Sequence, residues 1–352
     1  MITPSTNHAP QFRARNTLID NARGMGMLLI MAGHAPGLPP SLGAWLFSFH
    51  VPLFFLLSGY GIKSQVPALG LLAHLVKLAR ALLVPFLFFW LVSYLYWLPS
   101  HKMGGNVALY QGYTLVTPWL GLAKATGEAL PMNPALWFFT ALFMVSVLFW
   151  LLQKALKNNR HLALVAAGIS LIAVGYFNDA SRSWYWNADI ALCCLVFFAL
   201  GAALHDQLDQ FNEKEISLPG LSAAAAVFLA LSVCGAALDG PVDINQRHFG
   251  YTGSLFMLTA ICGMALTICL AKIIRKNRVL QFLSENSLTL FALHMVAYRV
   301  LTAIFIIIFH LNREQLGSTF MSVVYTAWAI AVLYPVIYGL RRWAPWILGG
   351  RK

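Results

Sequence analysis

The chain reads as an all-α protein, a polytopic transmembrane helical bundle, and three observations predict that class. Of 352 residues, 59% are hydrophobic and only 10% charged, and mean hydropathy is +0.69. A soluble globule of this length could not be covered by so few polar side chains. Apolar runs of roughly 17 to 25 residues recur from end to end, the length a helix needs to cross a bilayer. The alternating ten-residue pattern of a membrane β-barrel is not seen.

About ten spans follow: 18–34, 44–62, 80–98, 134–153, 161–177, 188–205, 218–238, 252–273, 287–311 and 318–340. The first reads LIDNARGMGMLLIMAGH and carries Asp20, Arg23 and His34. Ionisable side chains in hydrocarbon cost several kcal/mol each, which marks these three as functional-site residues. At about 100° per residue, Asp20, Arg23, Met27, Met31 and His34 share one face that must avoid lipid. Asp20 and His34 lie about 21 Å apart along the axis, too far for a hydrogen-bonded dyad. Asp20 is expected to pair with Arg23, three residues on. Arg13 and Arg15 give the segment the outline of a signal peptide. The charges at 20 and 23 interrupt its apolar region and further spans follow, so it is read as retained.

The second span, with SFHVPLFFLLSGY, places His50 near its entry, a kinking Pro52, and Ser58-Gly59-Tyr60 at its far end. Fifteen mostly turn-like residues separate His34 from His50, so both are expected on one side of the membrane. Lys77 and Arg80 precede the third span as ordinary positive flanks. In the connection 99–133, Tyr110, Tyr113 and Trp119 stand among glycines and prolines. A short interfacial helix, a lid over a cavity, or a plain aromatic belt would each explain them. Trp137, opening the fourth span, lines a cavity or anchors the interface.

The next four spans, 161–177, 188–205, 218–238 and 252–273, hold all five cysteines. Within them Cys193, Cys194, Cys234, Cys262 and Cys269 lack paired metal spacing and read as small core hydrophobes. The ninth span carries His294 and Arg299, which must share a polar network inside the bundle. Ser284, Glu285 and Asn286 are placed to cap its start.

Charge sets the expected orientation. With the N-terminus inside, inner segments hold Arg13, Arg15, Arg23, Lys63, Lys77, Arg80, Lys154, Lys157, Arg160, Lys214, Lys272, Arg275, Lys276, Arg278, Arg341, Arg342, Arg351 and Lys352. Outer loops hold Lys102, Lys124, Arg182, Arg247 and Arg313, so the balance is eighteen to five. Lys and Arg gather in cytoplasmic loops, and both termini are therefore expected there. One inner loop is acidic, with Asp206, Asp209, Glu213 and Glu215 against Lys214, but acidic residues weigh little in this rule. The net charge of +12 is then a topology signal, and nucleic-acid binding is not needed to explain it. No repeat or soluble insertion divides the chain. It is read as one transmembrane domain over 1–352, with cytoplasmic tails at 1–17 and 341–352.

Together the motifs resemble the membrane acyltransferase family 3, nearest its fucose O-acetylase and polysaccharide O-acetyltransferase branch. They are IDNARG with GH eleven residues on, FHVPLFFLLSGY, RALLVPF after a basic residue, LWFFTALF and SENSLTLFALH. The resemblance is dense over 18–90 and sparse beyond. It implies acyl transfer from acetyl-coenzyme A, as co-substrate and without a metal, to a hydroxyl of a glycan or lipid-linked sugar. The membrane implied is a bacterial inner (cytoplasmic) membrane. His34 corresponds to the catalytic base, and Arg23, with Lys77 and Arg80, to acyl-donor-binding positions. Asp20, His50, Ser58, Trp137 and His294 take supporting or acceptor-side places. The family often has two arginines three apart before the third span. Lys77 in the first of those positions is a point charge, without the bidentate grip of arginine. Imidazole suits the base role on chemical grounds, since a pKa near 6.5 lets it remove a hydroxyl proton as the oxygen attacks a thioester. Whether the acyl group passes directly or through an acyl-histidine is open. The other function class is a sugar-lipid transporter or flippase using His34, His50 and Arg299. Such proteins often show paired repeats and broken helices, and no such symmetry is visible.

Overall fold

The computed structural model describes residues 16–62, 70–102, 110–157, 161–179, 183–312 and 314–348. Arg13, Arg15, Lys63, Arg160, Arg182, Arg313, Arg351 and Lys352 lie outside the described residues, as do 1–15 and 349–352 of the two tails. The fold opens with α1 (Thr17–His34), α2 (Pro40–Tyr60), α3 (Leu71–Leu78), a π-helical turn (Ala79–Leu83) and α4 (Val84–Ser100). It continues through α5 (Thr117–Lys124), α6 (Trp137–Ala155), α7 (Leu162–Phe177), α8 (Ala188–Cys193), α9 (Leu195–Ala203), α10 (His205–Glu213) and α11 (Leu218–Asp239). A hairpin of β1 (Val242–Asp243) and β2 (His248–Phe249) follows, pairing Val242 with Phe249 and Asp243 with His248. The chain ends with α12 (Gly253–Ile274), α13 (Arg278–Glu285), α14 (Ser287–Ile307) and α15 (Thr319–Trp343).

Among the described residues, seven helices are long and apolar enough to cross a membrane, or eight if one bent pair is a single span. Two of the ten expected spans fall short of that test. Asp20 and Arg23 dilute α1, and α7 has only 16 residues. The third span begins at Leu71 rather than residue 80, because α3, the π turn and α4 run on as one helix of 30 residues. Lys77 and Arg80 are thus carried on the helix instead of preceding it.

The bent pair joins Tyr185–Cys193 to Leu195–Ala203 at 60°. Its cause is a buried side chain. Ser170 of α7 donates to the Leu192 carbonyl at 2.9 Å and accepts from the Val196 N–H at 2.9 Å. Those two groups would otherwise bond each other in a continuous helix, so the hydroxyl has been inserted into the ladder. Beyond the break, α9 packs against α2 through two glycines. Gly59 rests on the Phe198 carbonyl and Gly201 on the Leu56 carbonyl, where any Cβ would collide with backbone. Close approach through small residues is how membrane helices gain packing without a hydrophobic drive.

Other expectations are corrected. Ser284 and Glu285 belong to α13, capped by Asn277, and the Asn286 amide donates to the Phe282 carbonyl rather than capping α14. All five cysteines are free, but Cys234 is exposed on α11 and so is not a core residue.

Candidate active site

The C-terminal end of α1, the middle of α2 and the first half of α14 bring three imidazoles together. The ring of His34 lies 6.1 Å from that of His50 and 5.2 Å from that of His294, centre to centre. Each ring is anchored by Nδ1 on its own helix. His34 meets the Ile30 carbonyl at 2.8 Å, His50 the Leu46 carbonyl at 2.6 Å and His294 the Phe291 carbonyl at 2.7 Å. A carbonyl can only accept, so Nδ1 carries a proton in all three, and in the neutral imidazole each Nε2 keeps its lone pair. The buried Nε2 atoms of His50 and His294 have no hydrogen-bond partner among the described residues. Tyr298 steadies the group by donating to the Met31 carbonyl at 2.7 Å, which ties α14 to α1 one turn before His34.

A cavity of about 40 Å³ opens on His34, lined by His50, Trp137, Asp243, Asn245, Phe47 and Phe291 among others. Trp137 is buried, which favours the cavity reading over an interfacial anchor. Asn187 holds it in place, donating to the Trp137 carbonyl at 3.2 Å and to Thr140 at 2.8 Å. Asp243 and Asn245 come from the hairpin, which reaches over the site. Asp243 accepts from the backbone and side chain of Gln246, and Asn245 Oδ1 is buried without a partner among the described residues. Sequence reasoning missed both residues. The stretch GPVDINQRHFG carried a signal, since its flanking Gly240 and Gly250 take φ of +79° and +74° and bracket a hairpin.

Two buried or half-buried arginines hold the hairpin and the connection 110–133 that leads to Ala135 on the cavity wall. Arg247 pairs with Glu128 and lies 3.8 Å from the fully buried Asp189. Arg299, expected to share a network with His294, turns instead to the connection 110–133. It donates to the Pro131 carbonyl at 2.9 Å, the Met132 carbonyl, and the Tyr110 hydroxyl at 3.2 Å. Burial raises the pKa of Tyr110 and the Arg299 charge opposes that rise. Nearby, α5 occupies the connection where a short helix was one of the readings, with Trp119 packed on Trp90 at 4.7 Å.

The remaining predicted residues lie away from the cavity. Asp20 accepts from Ser284 of α13 at 3.1 Å, and Arg23 donates to the Leu57 carbonyl of α2 at 3.4 Å. These two contacts reach α13 and α2. Ser58 follows Leu57, about 12 Å along α2 from His50. Lys77 and Arg80 are exposed on α3 and the π turn. The structure therefore joins His34, His50, His294 and Trp137, and leaves Asp20, Arg23, Ser58, Lys77 and Arg80 apart from them. Among the described residues no group of three or more His, Cys, Asp or Glu side chains could hold a metal ion.

A family model described as an acyltransferase domain matches residues 16–341. No curated protein and no solved structure matches the chain.

Proposed function

The chain belongs to the acyltransferase 3 family, and on that premise we propose that it O-acetylates a cell-surface or exported polysaccharide from acetyl-coenzyme A in a bacterial cytoplasmic membrane. One observation carries the mechanism: His34 has its Nδ1 proton committed to the Ile30 carbonyl and sits on the wall of a cavity. Its Nε2 is then the base. It removes the proton of a sugar hydroxyl while that oxygen attacks the thioester carbonyl carbon. A C–O bond forms, the C–S bond breaks, and the imidazolium returns the proton to the leaving sulfur.

His50 and His294 present neutral rings to the imidazolium that forms, and their free Nε2 lone pairs favour that charge. Trp137 and Asn245 offer the acceptor an apolar platform and a hydrogen-bond acceptor, the usual mixture in a small-molecule site. Arg23, Lys77 and Arg80 are assigned to the phosphates of the donor, which would approach from the end where α1 begins. Basic side chains suit that task.

The test is mass spectrometry of surface glycans from cells carrying the wild-type gene, no gene, or His34→Ala. Acetyl groups should appear only with the wild type, at equal protein abundance. Full acetylation with His34→Ala would remove His34 from the chemistry. Glycans identical with and without the gene, beside altered export of a lipid-linked sugar, would favour the transporter class.

A further inference from the structure

Two cavities outside the histidine site meet at the end of the molecule where α1 begins. One, of about 560 Å³, lies between the start of α1, the link from α10 to α11, and the end of α12. Its wall carries Lys214, Lys272, Arg275 and Lys276 against Glu213 and Glu215. The other, of about 420 Å³, is walled by apolar side chains such as Leu56, Leu204, Phe211 and Ile268, with Gln207 the one amide. Both volumes fall in the range of ligand sites, roughly 300 to 1,000 Å³.

The two are neighbours on both walls. On α10, Phe211 faces the apolar cavity and Asn212 the charged one. On α12, Cys269 lines the first and Lys272 the second, one helical turn apart. Lys272 marks the boundary, its ammonium 5.8 Å from the Phe211 ring and bonded to the Asn212 carbonyl at 2.6 Å. An ammonium has three donors, so that single bond leaves capacity for an anion.

Backbone charge points the same way. The 22-residue helix α11 starts on this cavity, with Leu218 in its lining; Pro219 lacks an N–H and Ser217 caps that of Gly220, so the helix end favours negative charge through its dipole and not through free donors. The C-terminal end of α12 would oppose an anion, but two of its carbonyls are occupied. Asn21 donates to Ala271 at 3.0 Å and to Arg275.

We propose that the paired cavities are a binding site for one anionic phospholipid, its phosphate among Lys214, Lys272 and Lys276 and an acyl chain along Phe211 and Ile268. The alternation of charge and oil within one turn matches a lipid at the edge of a leaflet. It does not match a fully water-soluble ligand. The site is separate from the proposed donor route and does not depend on that reading. On α1, Thr17 and Leu18 line it, turned about 120° and 140° from Arg23, whereas His34 lies within about 20° of Arg23.

Native mass spectrometry and thermal unfolding of the full chain in neutral detergent test the proposal, with dioleoyl phosphatidylglycerol, dioleoyl phosphatidylcholine, inorganic phosphate and acetyl-coenzyme A as probes. Phosphatidylglycerol should be retained and should raise the unfolding temperature; phosphatidylcholine and phosphate should not. The double variant Lys214→Ala, Lys276→Ala should weaken the anionic lipid about 25-fold, roughly fivefold for each surface cation removed. Ala265→Trp, which fills the apolar cavity, should abolish retention while the charged cavity remains. Equal retention of phosphatidylcholine, an equal shift with phosphate alone, wild-type binding by both variants, or displacement by acetyl-coenzyme A would each overturn it.

Discussion

At the scale of single residues, the three imidazoles have distinct consequences on replacement. Loss of the base itself should lower kcat about 10²- to 10⁴-fold, so His34→Ala is expected to retain donor affinity and lose turnover, read by acetyl transfer from labelled acetyl-coenzyme A in proteoliposomes. His294→Phe and His50→Phe leave the base in place but remove a lone pair beside a developing cation. The ring centres of His294 and His50 lie 5.2 and 6.1 Å from that of His34 with no hydrogen bond between them, so each should cost about 2- to 10-fold in kcat, less than the loss of the base, with the donor KM unchanged. Arg80→Ala should raise the donor KM by a similar factor; an unchanged value would return Arg80 to the role of a membrane flank. His34 and Arg23 stand out in the sequence as candidates because an ionisable group in an apolar run is costly and so conspicuous. The meeting of His34 with His294 was not, since the residues are 260 positions apart and only the packing of α14 on α1 joins them.

At the scale of elements, the bend between α8 and α9 has a single removable cause. Ser170→Ala would leave the Leu192 carbonyl and the Val196 N–H buried without their shared partner. Each unpaired group costs about 1–3 kcal/mol, so the unfolding temperature in detergent should fall clearly. If it does not, the helix has straightened and remade its own bond, or water has replaced the hydroxyl. Gly201→Val should also destabilise, by about 1–3 kcal/mol, through overpacking against Leu56. Gly168→Ala is the control, since nothing lies within 4 Å of the added methyl and alanine is the better helix former by about 1 kcal/mol. Periodicity and length sufficed to find most of these helices. They could not reveal the bend, because neither a proline nor a glycine marks Cys194 and the inserted hydroxyl comes from another helix. Nor could they reveal the start of the third span, because Lys77 and Arg80 read as a boundary while the helix simply passes through them.

For the whole molecule, the chemistry proposed is two-sided, and the geometry makes demands on both sides. Arg23 and His34 lie about 16 Å apart along one face of α1, so a donor held at one end must reach an acceptor admitted at the other. A cavity of about 40 Å³ beside His34 has room for reacting atoms but not for a sugar ring, so the hairpin of Asp243 and Asn245 must shift to admit one. Arg247, which ties the hairpin to Glu128 and lies 3.8 Å from Asp189, makes the contacts that such a movement would exchange. This scheme fixes which end faces the cytoplasm, where acetyl-coenzyme A is made. The excess of Lys and Arg on the segments beside the start of α1 makes the same assignment. In a background with the five native cysteines replaced by alanine, Lys276→Cys should react with a membrane-impermeant maleimide in inside-out vesicles and not in intact cells. Gln246→Cys, exposed on the hairpin, should react in intact cells and not in inside-out vesicles. The opposite pattern would invert the molecule, put Arg23 on the acceptor side, and leave His34 without a route to its donor.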